Sequence, residues 1–333
     1  MPHITFIHGI ANKPSSDVLL ELWRRSLARE DGIDCGAENI TTSMVYWADV
    51  LYRDPDPDVE GYESADEEVQ VVAETSEVAA VDPLWRESLD GGERAFVEQL
   101  ADELGADVSE EEAKGAAVAD AAGAPPVAGA PTLTVVEAQA AAQLERVPLP
   151  WFIKRPLMKA LLRDVHHYLF NTSHTPRPGA SYQVRDEIRK RTLAALEEGA
   201  KQKGPHVVVS HSMGTVIAYD CLKRVRECPA VDSLITLGCP LGLDEIQDKF
   251  RPEWSRDDGF PHEKVRSGRW INVYDKLDPV AGFDPSLAND YRRGGQPTLV
   301  DIHEPNWGNW RHSITKYLQG KELRRTLAEL LRA

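Results

Sequence analysis

Ser212 lies in a run from Val207 to Ala218 in which a β-branched stretch ends in Ser-x-Ser-x-Gly (Ser210, Ser212, Gly214). An apolar, helix-compatible segment follows at once. A serine hydroxyl is a poor nucleophile until a neighbouring base removes its proton, and the base works best when a carboxylate fixes its tautomer. The run fits a sharp strand-to-helix turn that lifts the central serine clear of a sheet, a nucleophile elbow. Ser210 and Gly214 are small where strand and helix must approach closely. Ser212 would sit at the helix N-terminus, where free N–H groups stabilise negative charge. Taken alone, the run also fits an ordinary βα turn rich in Ser and Gly.

The partners are sought at the carboxyl ends of later strands, in the order acid, then base. After the strand Trp270–Tyr274 come Asp275 and Asp278, the latter in a turn set by Pro279. Asp278 is the preferred acid, and Asp275, closer to the strand end, is the alternative. His312, in a Trp-rich, Gly-containing loop that can bend back over the site, is the preferred base. His303, at the end of a strand, competes with it. His211, next to Ser212, is expected to point away. His166 and His167 are adjacent on a helix and diverge, so a joint metal site there is not expected. An oxyanion needs two donors. Met213 N–H follows the serine directly, and Ile10 N–H, or that of Ala11, follows the turn His8-Gly9.

These residues need a scaffold. Residues 3–10 read as a buried strand running into a His-Gly turn, and Pro14, Ser15 and Ser16 open a helix through Leu19, Leu22, Trp23 and Leu27. Ile40–Trp47 reads as a second strand, which makes a parallel pair with a right-handed crossover. Further strands fit His206–Ser210, Val231–Leu237, Arg269–Asp275 and Thr298–His303. Helices fit Gly179–Lys203, Met213–Arg226 and about Ser313–Leu331. Six near-continuous apolar strands separated by helical stretches predict a parallel sheet covered on both faces, an α/β fold.

The charge is uneven. The total is −16, but Asp54 to Glu145 holds 24 Asp/Glu against 3 Lys/Arg, a local −21 that leaves +5 for the rest. An acidic total argues against a general nucleic-acid binder. Residues 52–150 read as an acidic, partly disordered cap-like insertion with weak core content. Its helical pieces lie around Trp85–Leu104, and Ala121–Pro131 is a low-complexity linker. Residues 151–170 carry an apolar stripe (Leu157, Met158, Leu161, Leu162, Val165, Tyr168, Leu169) and read as an amphipathic helix, either a lid or a core helix. Residues 1–51 and 171–333 form the expected catalytic core.

Cys35, Cys221, Cys228 and Cys239 form no C-x-x-C pair, which makes reduced thiols and a cytoplasmic location the default. The start of the chain has no signal-peptide pattern, and no apolar run reaches membrane-spanning length. No phosphate loop, dinucleotide fingerprint or metal-ligand cluster is present, so no cofactor and no metal are expected.

The chain resembles the α/β-hydrolase superfamily of serine esterase and lipase type. The likeness is carried by Phe6-Ile7-His8-Gly9, Ser210–Gly214, Thr236–Gly242, Asp278-Pro279-Val280 and His312-Ser313. It covers roughly residues 3–50 and 180–332. Members often have Gly-Ser-Pro where this chain has Gly238-Cys239-Pro240, and no antiparallel strands precede the His-Gly strand. The resemblance implies cleavage of carboxylic esters by Ser212, His312 and Asp278 through an acyl-enzyme, with Ile10 and Met213 as the oxyanion hole. The apolar 151–170 segment and the mildly basic remainder point to a small-molecule or lipid ester as substrate, with transient contact to a membrane surface. Two other readings stand beside it. One is an acyltransferase using the same triad. The other is a non-catalytic scaffold that keeps the fold and docks a protein through the acidic insertion.

Overall fold

A computed structural model of the chain describes residues 1–57, 85–103, 162–282, 284–308 and 310–332. The first half runs β1 (His3–Ile7), α1 (Ser16–Ala28), β2 (Thr41–Val45), α2 (Ala48–Leu51), α3 (Gly91–Glu103) and α4 (residues 162–170). It is followed by β3 (Ser173–Arg177), β4 (Ala180–Gln183), α5 (Val184–Ala200), β5 (His206–His211), α6 (Met213–Arg224) and β6 (Val231–Leu237). The chain closes with α7 (Asp244–Asp248), β7 (Val265–Tyr274), β8 (Leu299–His303), α8 (Ile314–Gln319) and α9 (Lys321–Arg332).

Six strands form one sheet in the order β2-β1-β5-β6-β7-β8, and every pair is parallel. The register Val45–Ile7–Ser210–Thr236–Asn272–Asp301 crosses the whole sheet. Parallel pairing gathers all six carboxyl ends at one edge, so the loops after β1, β5, β6 and β7 meet there.

The central strands β1, β5 and β6 are buried almost throughout because both faces of the sheet are covered. On one face Ile4, Phe6, Val207, Val209, Ile235 and Val273 pack with Leu19, Trp23 and Leu27 of α1 and with Leu323, Leu327 and Leu330 of α9. On the other, Ile7, Val208 and Trp270 pack with Val184 and Ile188 of α5 and Val216 and Ile217 of α6. Phe96, Val97 and Leu100 of α3 join this second cluster, as do Leu162, Val165 and Tyr168 of α4. These stretches therefore contribute to the core, contrary to the weak core content expected of the region around Trp85–Leu104. The low-complexity linker and residues 151–161 lie outside the described residues.

Three helix expectations need correction. The segment starting at Gly179 opens as the second arm of an antiparallel hairpin, with Arg177 opposite Ala180 and His174 opposite Tyr182. Gly179 at φ +81 makes that tight turn, and helix α5 begins only at Val184. The helix after Ser212 ends at Arg224 rather than Arg226. The last helix is two, separated at Gly320, with Ile314, Leu318, Leu323 and Leu327 all facing the same cluster. Among the described residues no helix is long and apolar enough to cross a membrane.

Candidate active site

Ser212 stands between β5 and α6 at φ 53, ψ −127. A non-glycine residue at positive φ is uncommon and persists only where its surroundings hold it. Here Ser212 N–H donates to Leu237 O at 3.0 Å, and Ser212 O accepts Thr215 N–H at 2.9 Å and the Thr215 hydroxyl at 2.6 Å. The close approach of strand and helix is visible at Gly214, where a Cβ would lie 2.4 Å from Ile7 O and 2.6 Å from His8 O. Gly9 brings the loop after β1 against the serine, and a Cβ there would lie 2.8 Å from Ser212 Cβ.

Asp278 and His312 are brought together. His312 Nδ1 lies 2.8 Å from Asp278 Oδ1 and 2.9 Å from Oδ2. The turn begun by Pro279 points Val280 and Ala281 N–H at Oδ1, at 2.7 and 3.1 Å. Tyr317 adds its hydroxyl to Oδ2 at 2.7 Å. An imidazole that donates Nδ1–H to a carboxylate presents Nε2 as its acceptor. His312 Nε2 and Ser212 Oγ are both buried and have no hydrogen-bond partner among the described residues. This arrangement can take a proton from a serine hydroxyl and hold the resulting imidazolium.

Asp275 has a different job. Its Oδ1 accepts Leu277 N–H at 2.8 Å, and its Oδ2 accepts Asn306 N–H at 2.7 Å and Arg311 Nη1–H at 3.1 Å. It ties the end of β7 to the loop that carries His312. His303 is exposed on the edge strand, its ring 5.4 Å from that of Tyr274. His211 packs against His312. The alternation along β5 puts it on the side from which His312 enters, with the two ring centroids 4.7 Å apart. Its Nε2–H donates to His312 O at 2.9 Å, and burial holds its pKa well below the ordinary imidazole value. A neutral His211 thus props His312 without adding a second charge.

His8 is likewise buried and held neutral, chiefly by desolvation. Trp47 N–H donates to His8 Nε2 at 3.0 Å, so Nδ1 carries the proton and donates to Gly9 O at 2.8 Å. Ala11 N–H is taken by Asp164 Oδ2 at 3.0 Å. Of the two amides weighed from sequence, only that of Ile10 stays uncommitted among the described residues, as does that of Met213. Cys239, beside the site, donates its thiol to Thr215 Oγ1 at 3.1 Å. Burial pushes its pKa up to about 12, so it offers no thiolate to compete with the serine.

Sequence reasoning missed Tyr317 and Asp164. Each sits on a helix where its spacing reads as core, and the partner that reveals it is 39 or 153 residues away. The four cysteines are free and buried. Among the described residues no group of three His, Cys, Asp or Glu side chains is placed to hold a metal ion. In comparison with known proteins, the chain matches no family model and no curated protein.

Proposed function

We propose that the protein is a serine hydrolase of the α/β-hydrolase type that cleaves carboxylic esters through an acyl-enzyme. The observation that supports it most is the His312–Asp278 pair, whose free Nε2 and the unpartnered Ser212 Oγ belong to loops at the same sheet edge. Ser212 Oγ attacks the ester carbonyl while His312 Nε2 takes its proton, and Asp278 holds the imidazolium. The oxyanion is received by Ile10 and Met213 N–H. Collapse of the tetrahedral intermediate expels the alcohol, which takes the proton from His312. Water then repeats the cycle on the acyl-serine and releases the acid. An alcohol in place of that water would make the same site an acyltransferase.

Of the apolar 151–170 segment, the described residues Leu162, Val165, Tyr168 and Leu169 face the core rather than an open surface. The test is covalent. A fluorophosphonate probe should label the wild type at Ser212 and leave Ser212→Ala unlabelled, with hydrolysis of short p-nitrophenyl esters lost in parallel. Equal labelling of both proteins removes Ser212 from the mechanism.

A further inference from the structure

The loop that offers Ile10 N–H is held by contacts that the ester reading does not itself require. Ala11 sits at φ +68, a left-handed conformation that a residue with a Cβ keeps only when its neighbours impose it. Three contacts impose it. Gly9 O accepts His8 Nδ1–H at 2.8 Å, Ile10 O accepts Lys13 Nζ at 2.6 Å, and Ala11 N–H donates to Asp164 Oδ2 at 3.0 Å. Both carbonyls and one amide of the turn are therefore committed, and the Ile10 amide is the one left over.

Asp164 is unlike the other two partners because it comes from α4, far from the loop in sequence. It is fully buried. Its Oδ1 accepts Arg163 Nε–H at 3.0 Å and Nη2–H at 2.8 Å, and its Oδ2 also accepts the Tyr52 hydroxyl at 3.1 Å. The Arg163 guanidinium lies 4.7 Å over the Tyr52 ring, which closes a small buried cluster against the turn. A buried carboxylate is costly unless its oxygens are filled, and here one of the groups filling it is the loop amide.

We propose that Asp164 is a positioning residue for the oxyanion hole. It fixes the Ile10–Ala11 peptide and, across the Ile10 Cα, limits how far the Gly9–Ile10 peptide that carries Ile10 N–H can turn. The inference rests on Ser212 being the nucleophile. It assigns α4 a role in setting the rate, which neither a lid nor a plain core helix would have.

Asp164→Ala removes the acceptor, and Asp164→Asn keeps an oxygen for Ala11 N–H while losing the charge that Arg163 needs. The Ala variant should lose about 100-fold in kcat on p-nitrophenyl acetate, close to the loss from removing one oxyanion donor, with KM within about 2-fold. The Asn variant should lose about 10-fold, again in kcat. Hydrogen exchange of the peptide spanning residues 8–13 should quicken in both variants. If the Ala variant does not fold, the Asn variant carries the test. A folded Asn variant with kcat within about 2-fold of wild type, or with unchanged exchange over residues 8–13, overturns the proposal. A wild type that neither reacts with the fluorophosphonate nor turns over esters instead overturns the hydrolase reading, so the two failures are distinct.

Discussion

Asp278→Asn is the sharpest perturbation of the site, because it changes no shape. Val280 and Ala281 N–H both point at Oδ1, at 2.7 and 3.1 Å. Two donors facing one position compel an asparagine to put its carbonyl oxygen there. The NH2 then occupies the Oδ2 position, 2.9 Å from His312 Nδ1 and 2.7 Å from the Tyr317 hydroxyl. Tyr317 can rotate its proton and accept. His312 Nδ1–H can still reach the carbonyl oxygen at the Oδ1 position, 2.8 Å away, but no carboxylate is left to hold the imidazolium. The NH2 also competes for Nδ1 and favours the imidazole tautomer that carries its proton on Nε2. That proton fills the lone pair that must receive the serine's. The expected loss in kcat is about 10⁴, the cost of a wrong tautomer, or about 5.4 kcal/mol of transition-state stabilisation. Steady-state hydrolysis of p-nitrophenyl acetate from about pH 6 to about pH 9, with thermal unfolding as the fold control, measures it. Asp275→Asn provides the internal comparison. It loosens the loop anchored through Asn306 and Arg311, so it should cost less activity and more stability. A folded Asp278→Asn variant that keeps more than about a tenth of wild-type kcat would refute the proposal of Asp278 as the acid.

Two further outcomes follow from distances at the sheet. Gly214→Ala drives a methyl onto two backbone oxygens, Ile7 O at 2.4 Å and His8 O at 2.6 Å, neither of which can rotate away. Urea unfolding should show a loss of about 3 kcal/mol or more, and a variant as stable as wild type would mean that β1 and α6 are not packed as described. His206, in β5, is pushed down to about 4 by burial first and by His3 second, with Asp232 opposing and Arg266 adding to the shift. Its pKa falls on folding, so between about pH 4 and 6.5 the unfolded chain binds a proton that the folded one refuses, and stability drops as pH is lowered through that window. From pH 7 to pH 5 this group alone should cost about 2 kcal/mol, and His206→Gln should flatten the urea-midpoint profile by that amount. An unchanged slope in the variant would show that His206 is not the titrating group.

The sheet was legible because its strands carry a local signal. Val207-Val208-Val209 is apolar on both faces, and Trp270–Tyr274 nearly so, with Asn272 the one polar residue; a doubly covered parallel strand accommodates that. Ser212, Asp278 and His312 stand out as candidates for a related reason, and the structure pairs the last two. Each is marked by its immediate neighbours, by Gly214 two residues on, by Pro279, and by the Trp–Gly loop before the last helices. The hairpin Ser173–Gln183 was not legible, because Tyr182, Val184 and Ile188 satisfy a helical stripe as readily as they satisfy a strand that turns into a helix. Pairing of His174 with Tyr182 decides between the two, and that pairing is set by the Pro178-Gly179 turn.

The groups that hold the site in place escaped for a deeper reason. Tyr317 and Asp164 act on Asp278 and Ala11 across 39 and 153 residues, and nothing beside them in the chain marks the partner. A tyrosine on the α8 stripe reads as core, and it is core, with its ring in the same cluster as Ile314 and Leu318. The same side chain delivers its hydroxyl to the candidate acid and accepts Asp275 N–H at 3.1 Å. Packing and positioning are thus one function at this residue. Tyr317→Phe separates them: the ring stays, the hydroxyl goes, and Asp278 retains both backbone donors. Since Val280 and Ala281 already set the carboxylate plane, the expected loss in kcat is less than about 10-fold, well short of that for Asp278→Asn. Stability should fall by about 1–3 kcal/mol, because Asp275 N–H is left buried without a partner. A loss in turnover as deep as that of Asp278→Asn would place Tyr317 in the proton path itself and not behind it.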